Sequence, residues 1–570
     1  MTIVKLVGLY LVSIAKFTQY QAAIITLTVN SGFESFSAAQ SFNRSIRFKF
    51  ILQHFNTGRF MASFSYFKKN IDSLVTAIVG FLIIFLFTRH GGIGVCPDAV
   101  VYINTAQNLP ATGRLVDFMN ISIVDFPAFY PLFLSACIVL TGLQPLAFAP
   151  VLNAMLFAFV IFLSGGIMEQ FSIRSKWNKR ALLMIIVFSP ALLEVYSMVW
   201  SETLFIIWLM LFMIAMRNYL QSYSRKVLII AALVASLAAV TRYAGVIIIA
   251  TGGLLILVDM AIPLKRRIAD LLIYSLISPL LLAINLLRNH FVGGTLAGQR
   301  EVAVRSLYGN MQDAGSVLYD WLPFFNRHYQ TAAWGVFALV IFLAWICFQH
   351  YKSKKRLADF GSIAAFFSLL YILFMMVVSS ISRFEILNSR LLSPLFIPLV
   401  FVGSHSLLVI AEKVKKWNRR WVVLAAAFIF ISFQYNQLSA DYETWDGVKD
   451  AGIPGYTEDQ WKQSPTVQFI QKDSLPFQKG FIIYSNAYDA IFFFTGRPGK
   501  FLPHKEFDNE VKDFLNDPNC YLVWFMDGEN DDLVGLDFIK NIKKMKLVKQ
   551  FADGAIYRYD GEKTIPTTMR

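Results

Sequence analysis

The feature that most constrains this chain is its alternation of long apolar runs with short loops, every second one strongly basic. The basic loops carry Arg174/Lys176/Lys179/Arg180, Arg217/Arg225/Lys226, Lys265/Arg266/Arg267, Lys352/Lys354/Lys355/Arg356 and Lys413/Lys415/Lys416/Arg419/Arg420. The loops between them carry isolated acids and arginines beside Tyr, Asn and Gly. Lys and Arg concentrate in cytoplasmic loops, so the pattern assigns each loop a face. It gathers the sparse, mixed loops on the outer face, where any chemistry is expected. Of the 570 residues, 56% are hydrophobic and only 16% charged, against about 25% charged in a soluble domain. A polytopic α-helical membrane protein follows. The net charge of +15 is distributed between the apolar runs instead of forming one patch, which marks topology and argues against nucleic acid as a partner.

A spanning helix needs about 20 mostly apolar residues. The runs that qualify lie near 72–89, 145–168, 181–199, 202–217, 227–241, 244–260, 269–287, 331–349, 358–380, 391–411 and 421–437, about eleven spans. An eleven-span chain with Lys68 and Lys69 inside ends outside. The apolar run 128–143 would invert the charge pattern if it crossed, so it is expected to be a juxtamembrane or re-entrant helix on the outer face. Residues 1–70 form an N-terminal extension of uncertain role: surface-lying or disordered, a weak extra span near 6–15, or untranslated if Met61 is the true start. Residues 71–437 form the membrane domain, with a first outer loop at 90–128. From 438 onward acids, Gly and Pro appear. Short β-like runs follow at 481–485, 490–494, 521–525 and 555–559, and 457–472 is polar and helical in pattern. Residues 438–570 therefore predict a small C-terminal α/β extracytoplasmic domain.

The candidate functional residues sit at the outer ends of the spans. Asp98 follows Pro97 at the start of a predicted helix, with Tyr102 one turn on and on the same face. Asp98 is also a natural N-cap. Asp125 closes the first loop. Glu202 opens a span, with Glu194 a little deeper, and Arg242 and Tyr243 occupy a turn between two spans. Charges at membrane depth are costly and pair or face a cavity, so a Glu–Arg pair pinning helix ends is the plain alternative to a site. Arg288 ends a span and Arg300 follows a Gly-rich stretch, NHFVGGTLAGQ. Arg383, Glu385 and Arg390 precede or open another span. Four arginines on one face (Arg242, Arg288, Arg300, Arg390) suit an anion, since Arg binds phosphate bidentately. His90 reads as an interfacial residue. Four cysteines are too few for a disulfide framework, although Cys96 and Cys520 share the outer face. No His or Cys cluster with metal-ligand spacing is visible, and no cofactor is expected.

The order of motifs PDAVVYINTAQNL, FPAFYPLFL, SETLF, TRYAG, LLRNHFVGGTLAGQR and SRLLSPLFIP resembles the polyprenyl-phosphate-sugar-dependent glycosyltransferases of the GT-C superfamily. The nearest branches are the protein O-mannosyltransferases, the lipid A aminoarabinose transferases and the RgtA/B/C/D-like groups. The resemblance covers 72–437, and the tail segment IIYSNAYDAIFFFTGRPGKFLP is similar to the outer-face domain of some bacterial members. It implies an integral protein of the bacterial inner (plasma) membrane acting in cell-envelope glycan synthesis, with its C-terminal domain extracytoplasmic. Its partners would be membrane lipid, a polyprenyl-phosphate sugar donor and a protein, lipid or glycan acceptor. Asp98 would be the base that deprotonates the acceptor for inverting attack on the anomeric carbon. Arg288, Arg300 and Arg390 would hold the donor phosphate, with Arg242, Tyr243, Tyr102, Glu202 and Asp125 lining the site. Many relatives carry two adjacent acids in the first loop. Here Pro97 and Ala99 flank Asp98, so a metal-free mechanism is expected. Asp125-Phe126-Pro127 stands where the family has His-Pro-Pro, which weakens any transfer of acceptor-loop roles. Three other readings stay open: a transporter or flippase for a lipid-linked or anionic substrate, an O-antigen ligase or polymerase using the long loop 288–330, and a degenerate relative whose tail recruits partners.

Overall fold

The computed structural model describes residues 70–561, apart from 172–174, 299, 301, 323–328, 384, 414–415, 473–476, 478–479 and 527–531. The expectations for residues 1–69 fall outside the described residues. Every apolar run expected to span is helical. Seven helices are long and apolar enough to cross a membrane, within Pro145–Met168, Glu202–Ser222, Leu264–Gly293, Tyr329–Lys354, Phe360–Ile381, Ser389–Ile410 and Arg420–Ala451. Lys176–Val187 and Pro190–Ser197, bent by 49° at their junction, make an eighth if taken as one span. The expected count of eleven is therefore not confirmed. The other three runs fold as Ile71–Phe87, Arg225–Thr241 and Val246–Val258, of 17, 17 and 13 residues. A 17-residue helix is about 26 Å long, short of a hydrocarbon layer of about 30 Å. The run 128–143 forms the 13-residue helix Phe129–Thr141, closed by Gly142 in the left-handed region and too short to cross.

Lipid-facing and core-facing sides separate along single helices. In the helix Tyr329–Lys354, Trp334, Phe337, Ile341, Trp345 and Phe348 form an exposed stripe at helical spacing, while Ala333, Val336, Leu343, Ile346 and Cys347 are buried. An apolar stripe without protein cover matches a lipid surface. The basic loops collect at one end of the bundle. There Lys179 pairs with Asp72 at 2.7 Å and Glu169 at 2.8 Å, Arg225 with Asp270 at 3.2 Å, and the Met260 amide reaches the Lys355 carbonyl at 3.1 Å. Glu202, Arg242 and Arg390 lie at the opposite ends of their helices. The chain is an integral membrane protein with the two-ended charge distribution that its sequence predicts.

The last long helix, Lys416–Ala451, runs without a break through position 438. Beyond it, a five-stranded sheet forms in the order β2-β1-β3-β5-β4, where β1 is Ile482–Ser485, β2 Lys500–Phe501, β3 Asn519–Phe525, β4 Lys546–Gln550 and β5 Gly554–Asp560. β1 is parallel to β2 and β3, whereas β5 is antiparallel to β3 and β4. Three of the four expected strands are present. The fourth, AIFFF at 490–494, is instead part of the helix Tyr488–Thr495, which Gly496 ends in the left-handed region. A short apolar run does not distinguish helix from strand, and the parallel pairing of β1 with β2 demands a crossover at this place. Pro465 divides the expected helix 457–472 into Asp459–Gln463 and Pro465–Ile470. From Cys520 on, β3 is apolar and both its faces are covered: Cys520, Leu522 and Trp524 meet one cluster, Tyr521, Val523 and Phe525 the other.

Candidate active site

The site begins with a helix start. Pro97 occupies the first turn of the helix Pro97–Thr112, where its fixed φ suits the helix and its missing N–H costs nothing. The N-cap is Cys96, in extended conformation and without a side-chain cap. Asp98 is therefore one step inside the helix and is not its cap. Its carboxylate projects away from the helix end to Arg390, whose Nη2 donates to Oδ2 at 2.5 Å across 292 residues of sequence.

A backbone ladder sets this helix against the next functional segment. The Gly94 amide donates to the Ser197 carbonyl at 2.9 Å, and the Val199 amide donates to the Gly94 carbonyl at 3.1 Å. Gly94 is required for this approach, since any Cβ there would overlap Met198 Sδ. The ladder places Trp200, Ser201 and Glu202 beside Asp98. Glu202 opens the helix Glu202–Ser222 and is fully buried. Its Oε1 accepts from Arg242 Nη1 at 2.5 Å and from Arg390 Nε at 2.7 Å. Arg242 Nη1 also donates to Ser201 Oγ at 3.0 Å. The Arg390 guanidinium stacks 4.4 Å from the centre of the Trp200 ring, and the Trp200 indole N–H points at Cys96 Sγ at 2.9 Å. Two carboxylates and two guanidiniums thus form one balanced chain, Asp98–Arg390–Glu202–Arg242. Glu202 is buried at its centre, and Asp98 is 29% exposed at its open end.

Tyr102 lies one turn behind Asp98 as expected. It is buried edge-on against Phe126 and Tyr130. Burial first, then the Asp98 charge, push its pKa well above the ordinary value. Glu385 lies 3.8 Å from Arg390 Nη1 at the mouth of the site. Burial raises its pKa, with Arg390 opposing. The Cys96 thiol is pushed up to about 11, mainly by burial and then by Asp98, so it is a spectator. Cys96 and Cys520 are not joined by a disulfide.

The remaining expected residues gather in a second cluster across the turn that carries Arg242. Tyr243 Oη donates to the Val124 carbonyl at 2.9 Å and accepts from Asn289 Nδ2 at 3.0 Å. Arg288 donates to the carbonyls of Ile123 at 2.7 Å and Leu115 at 3.1 Å, fastening the first loop where Val116 bridges Ser122. Asp125 lies against Gly298. Burial raises its pKa and the charge of the exposed Arg300 opposes the shift. Of the four arginines expected to act together, Arg242 and Arg390 share a carboxylate, whereas Arg288 and Arg300 belong to this second cluster. Trp200, Ser201 and Asn289 were not anticipated. Only their adjacency to Glu202 and Arg288 in the sequence pointed to them.

The tail packs over the same end of the bundle. The Tyr456 amide donates to the Val95 carbonyl at 2.8 Å, and Thr457 Oγ1 donates to the Ile93 carbonyl at 2.9 Å. Phe118 of the first loop stacks on Phe492 at 4.5 Å. Arg383 pairs with Asp532 and, at 3.8 Å, with Glu506. His90, expected to be interfacial, joins Asp459 at 2.9 Å. Ile93, Val95, Ala99 and Ile103 share one apolar cluster with Val467, Ile483, Ile491 and Val523, so the sheet is part of the support under Asp98.

No family model and no curated protein matches the chain. Among solved structures it is similar to ArnT from Cupriavidus metallidurans bound to undecaprenyl phosphate, with a TM-score of 0.50 at 12% identity over 85% of this chain and 97% of that one. The apo state of the same protein gives 0.50 at 13% identity over 87% and 98%. The archaeal oligosaccharyltransferase AglB from Archaeoglobus fulgidus, in complex with an inhibitory peptide and a dolichol-phosphate, gives 0.48 at 12% identity over 81% and 70%. The likeness to ArnT shows that the two chains share a fold.

Proposed function

We propose that the chain is an inverting glycosyltransferase that moves a sugar from a polyprenyl-phosphate donor to an acceptor on the outer face of the membrane. The observation that carries this reading is the partly exposed carboxylate of Asp98, held by Arg390 over a buried Glu202–Arg242 pair, in a chain with the fold of ArnT. In the reaction the acceptor oxygen forms a bond to the anomeric carbon while the bond from that carbon to the donor phosphate oxygen breaks. Asp98 takes the acceptor proton, and polyprenyl phosphate departs with the electron pair. A positioned general base contributes about 10²–10⁴-fold. Preorganised guanidiniums act on the charge that develops on the leaving phosphate. Arg390 and Arg300 supply that charge. Arg288 is engaged with Leu115 and Ile123 and holds the loop. Glu202 aims Arg390 and Arg242. The charges stand at helix ends, not midway along broken helices, which favours this reading over a transporter. The tail lies against the first loop and is suited to receive the acceptor.

The test is transfer from a panel of polyprenyl-phosphate sugars in membranes, comparing wild type with Asp98→Asn. A fall of about 10²–10⁴-fold with donor binding retained supports Asp98 as base. Undiminished transfer by the variant removes it from that role, and no transfer by wild type from any donor removes the enzyme reading.

A further inference from the structure

At the basic end of the bundle, remote from Asp98, a second polar cluster joins three consecutive spans. His350 lies near the end of the helix Tyr329–Lys354, Asp359 is the N-cap of Phe360–Ile381, and His405 lies within Ser389–Lys413. Asp359 Oδ1 accepts from the Ser362 amide at 3.0 Å, which completes the cap. Its buried Oδ2 is left facing His350 Nδ1 at 3.2 Å and Lys354 Nζ at 3.7 Å. The two imidazoles lie 5.2 Å apart between ring centres. The His405 ring rests directly on Gly361, where any Cβ would come within 2.7 Å of it. A donor atom from each of the three side chains lies within 4.8 Å of the other two. Beside them opens a cavity of about 200 Å³ whose lining includes Gln170, Arg217, Lys354, Arg356 and His405.

We propose that His350, Asp359 and His405 form a binding site for a divalent transition-metal ion of the zinc class, which fastens the basic ends of these three spans. Two imidazoles and one carboxylate are a donor set that zinc accepts, and the adjoining cavity has room for a water as the fourth ligand. Zinc–ligand bonds of about 2.0–2.1 Å bring donor atoms to about 3.4 Å from one another, so the three side chains close inward by rotation. A proton shared by His350 and Asp359 holds only two of the spans, whereas a metal adds His405 and the third. That third span carries Arg390 fifteen residues before His405, about 22 Å along the helix. The metal therefore steadies the helix that positions Arg390 without reaching the reacting atoms. Lys354, Arg217 and Arg356 face the cluster and moderate its affinity.

The experiment uses the full chain in detergent, stripped by a chelator and titrated with Zn²⁺, with Co²⁺ as a spectroscopic probe of coordination. About one ion per chain should bind, with a rise in melting temperature and a tetrahedral cobalt spectrum. Asp359→Asn keeps an N-capping side chain and removes the anionic ligand, whereas His405→Gln removes one imidazole. Each should weaken binding by more than the roughly 10–100-fold typical of losing an outer-shell partner. Absence of stoichiometric binding by wild type, or unchanged binding in both variants, overturns the proposal. If His405→Gln does not fold, the capped Asp359→Asn decides. The readout is metal content, so its failure leaves the glycosyltransfer reading untouched.

Discussion

Glu202→Gln is the substitution that separates the two roles of the charged chain. Glu202 is fully buried and bonded to Arg242 at 2.5 Å and Arg390 at 2.7 Å. Two opposite charges centred about 4 Å apart attract by about 4 kcal/mol at an effective dielectric near 20, before desolvation is counted. Breaking a buried pair from one side leaves uncompensated charge and costs about 3–5 kcal/mol. Glu202→Gln keeps the shape and leaves the two guanidiniums with Asp98 and the more distant Glu385, so a loss in that range is expected. Asp98 is 29% exposed and has only Arg390, 11% exposed, as an ion-pair partner among the described residues, so this pair is more solvated than the pairs of the fully buried Glu202 and contributes less. Asp98→Asn should therefore lower transfer by about 10²–10⁴-fold at a smaller cost in stability than Glu202→Gln, which should reduce both. The double variant Glu202→Gln/Arg390→Met restores balance, with Asp98 and Arg242 remaining. It should recover about 1–3 kcal/mol relative to the sum of the single losses while staying inactive. Reversible denaturant titration in mixed micelles gives the stabilities, and transfer from a lipid-linked donor gives the activity. If Glu202→Gln proves as harmless to stability as Asp98→Asn, or if the double variant shows no coupling, the chain of four charges does not operate as one unit.

Two further predictions test the supports of the site. Arg288→Met keeps the apolar stem and removes the hydrogen bonds to Ile123 and Leu115, each worth about 1.5–3 kcal/mol as a charged donor. Faster proteolysis and hydrogen exchange confined to residues 113–124 are expected, and uniform loosening of the whole chain would refute a local clamp. Asp489 is buried, accepts from Tyr456 Oη at 2.7 Å, and has its pKa raised mainly by burial. Its folded pKa lies above the unfolded value of about 3.9. Folding is therefore unpenalised below that pH and loses stability as pH rises through the folded pKa. Asp489→Asn should raise the melting temperature near pH 8, with an advantage that fades toward pH 4, and a pH-independent change would contradict the assignment.

What the sequence by itself determined is local in origin. Hydropathy run length gave the helices, and Lys/Arg alternation gave the two ends, because transfer into lipid acts on each segment separately. Pro97 fixed the start of the helix that carries Asp98, and the run YLVWF marked the strand β3. Tertiary structure decided whatever depends on partners distant in sequence. The count of eleven spans is not confirmed, because three of the runs fold as helices of 17, 17 and 13 residues. AIFFF became a helix because a parallel crossover needed one. Arg288 turned inward to the first loop, while Arg390 reached Asp98 across 292 residues. The His350/Asp359/His405 cluster carries no spacing motif, since its members come from three helices. In each case the deciding energy is the pairing of a charge or backbone group whose partner is supplied only when distant helices pack, and no local pattern encodes that choice.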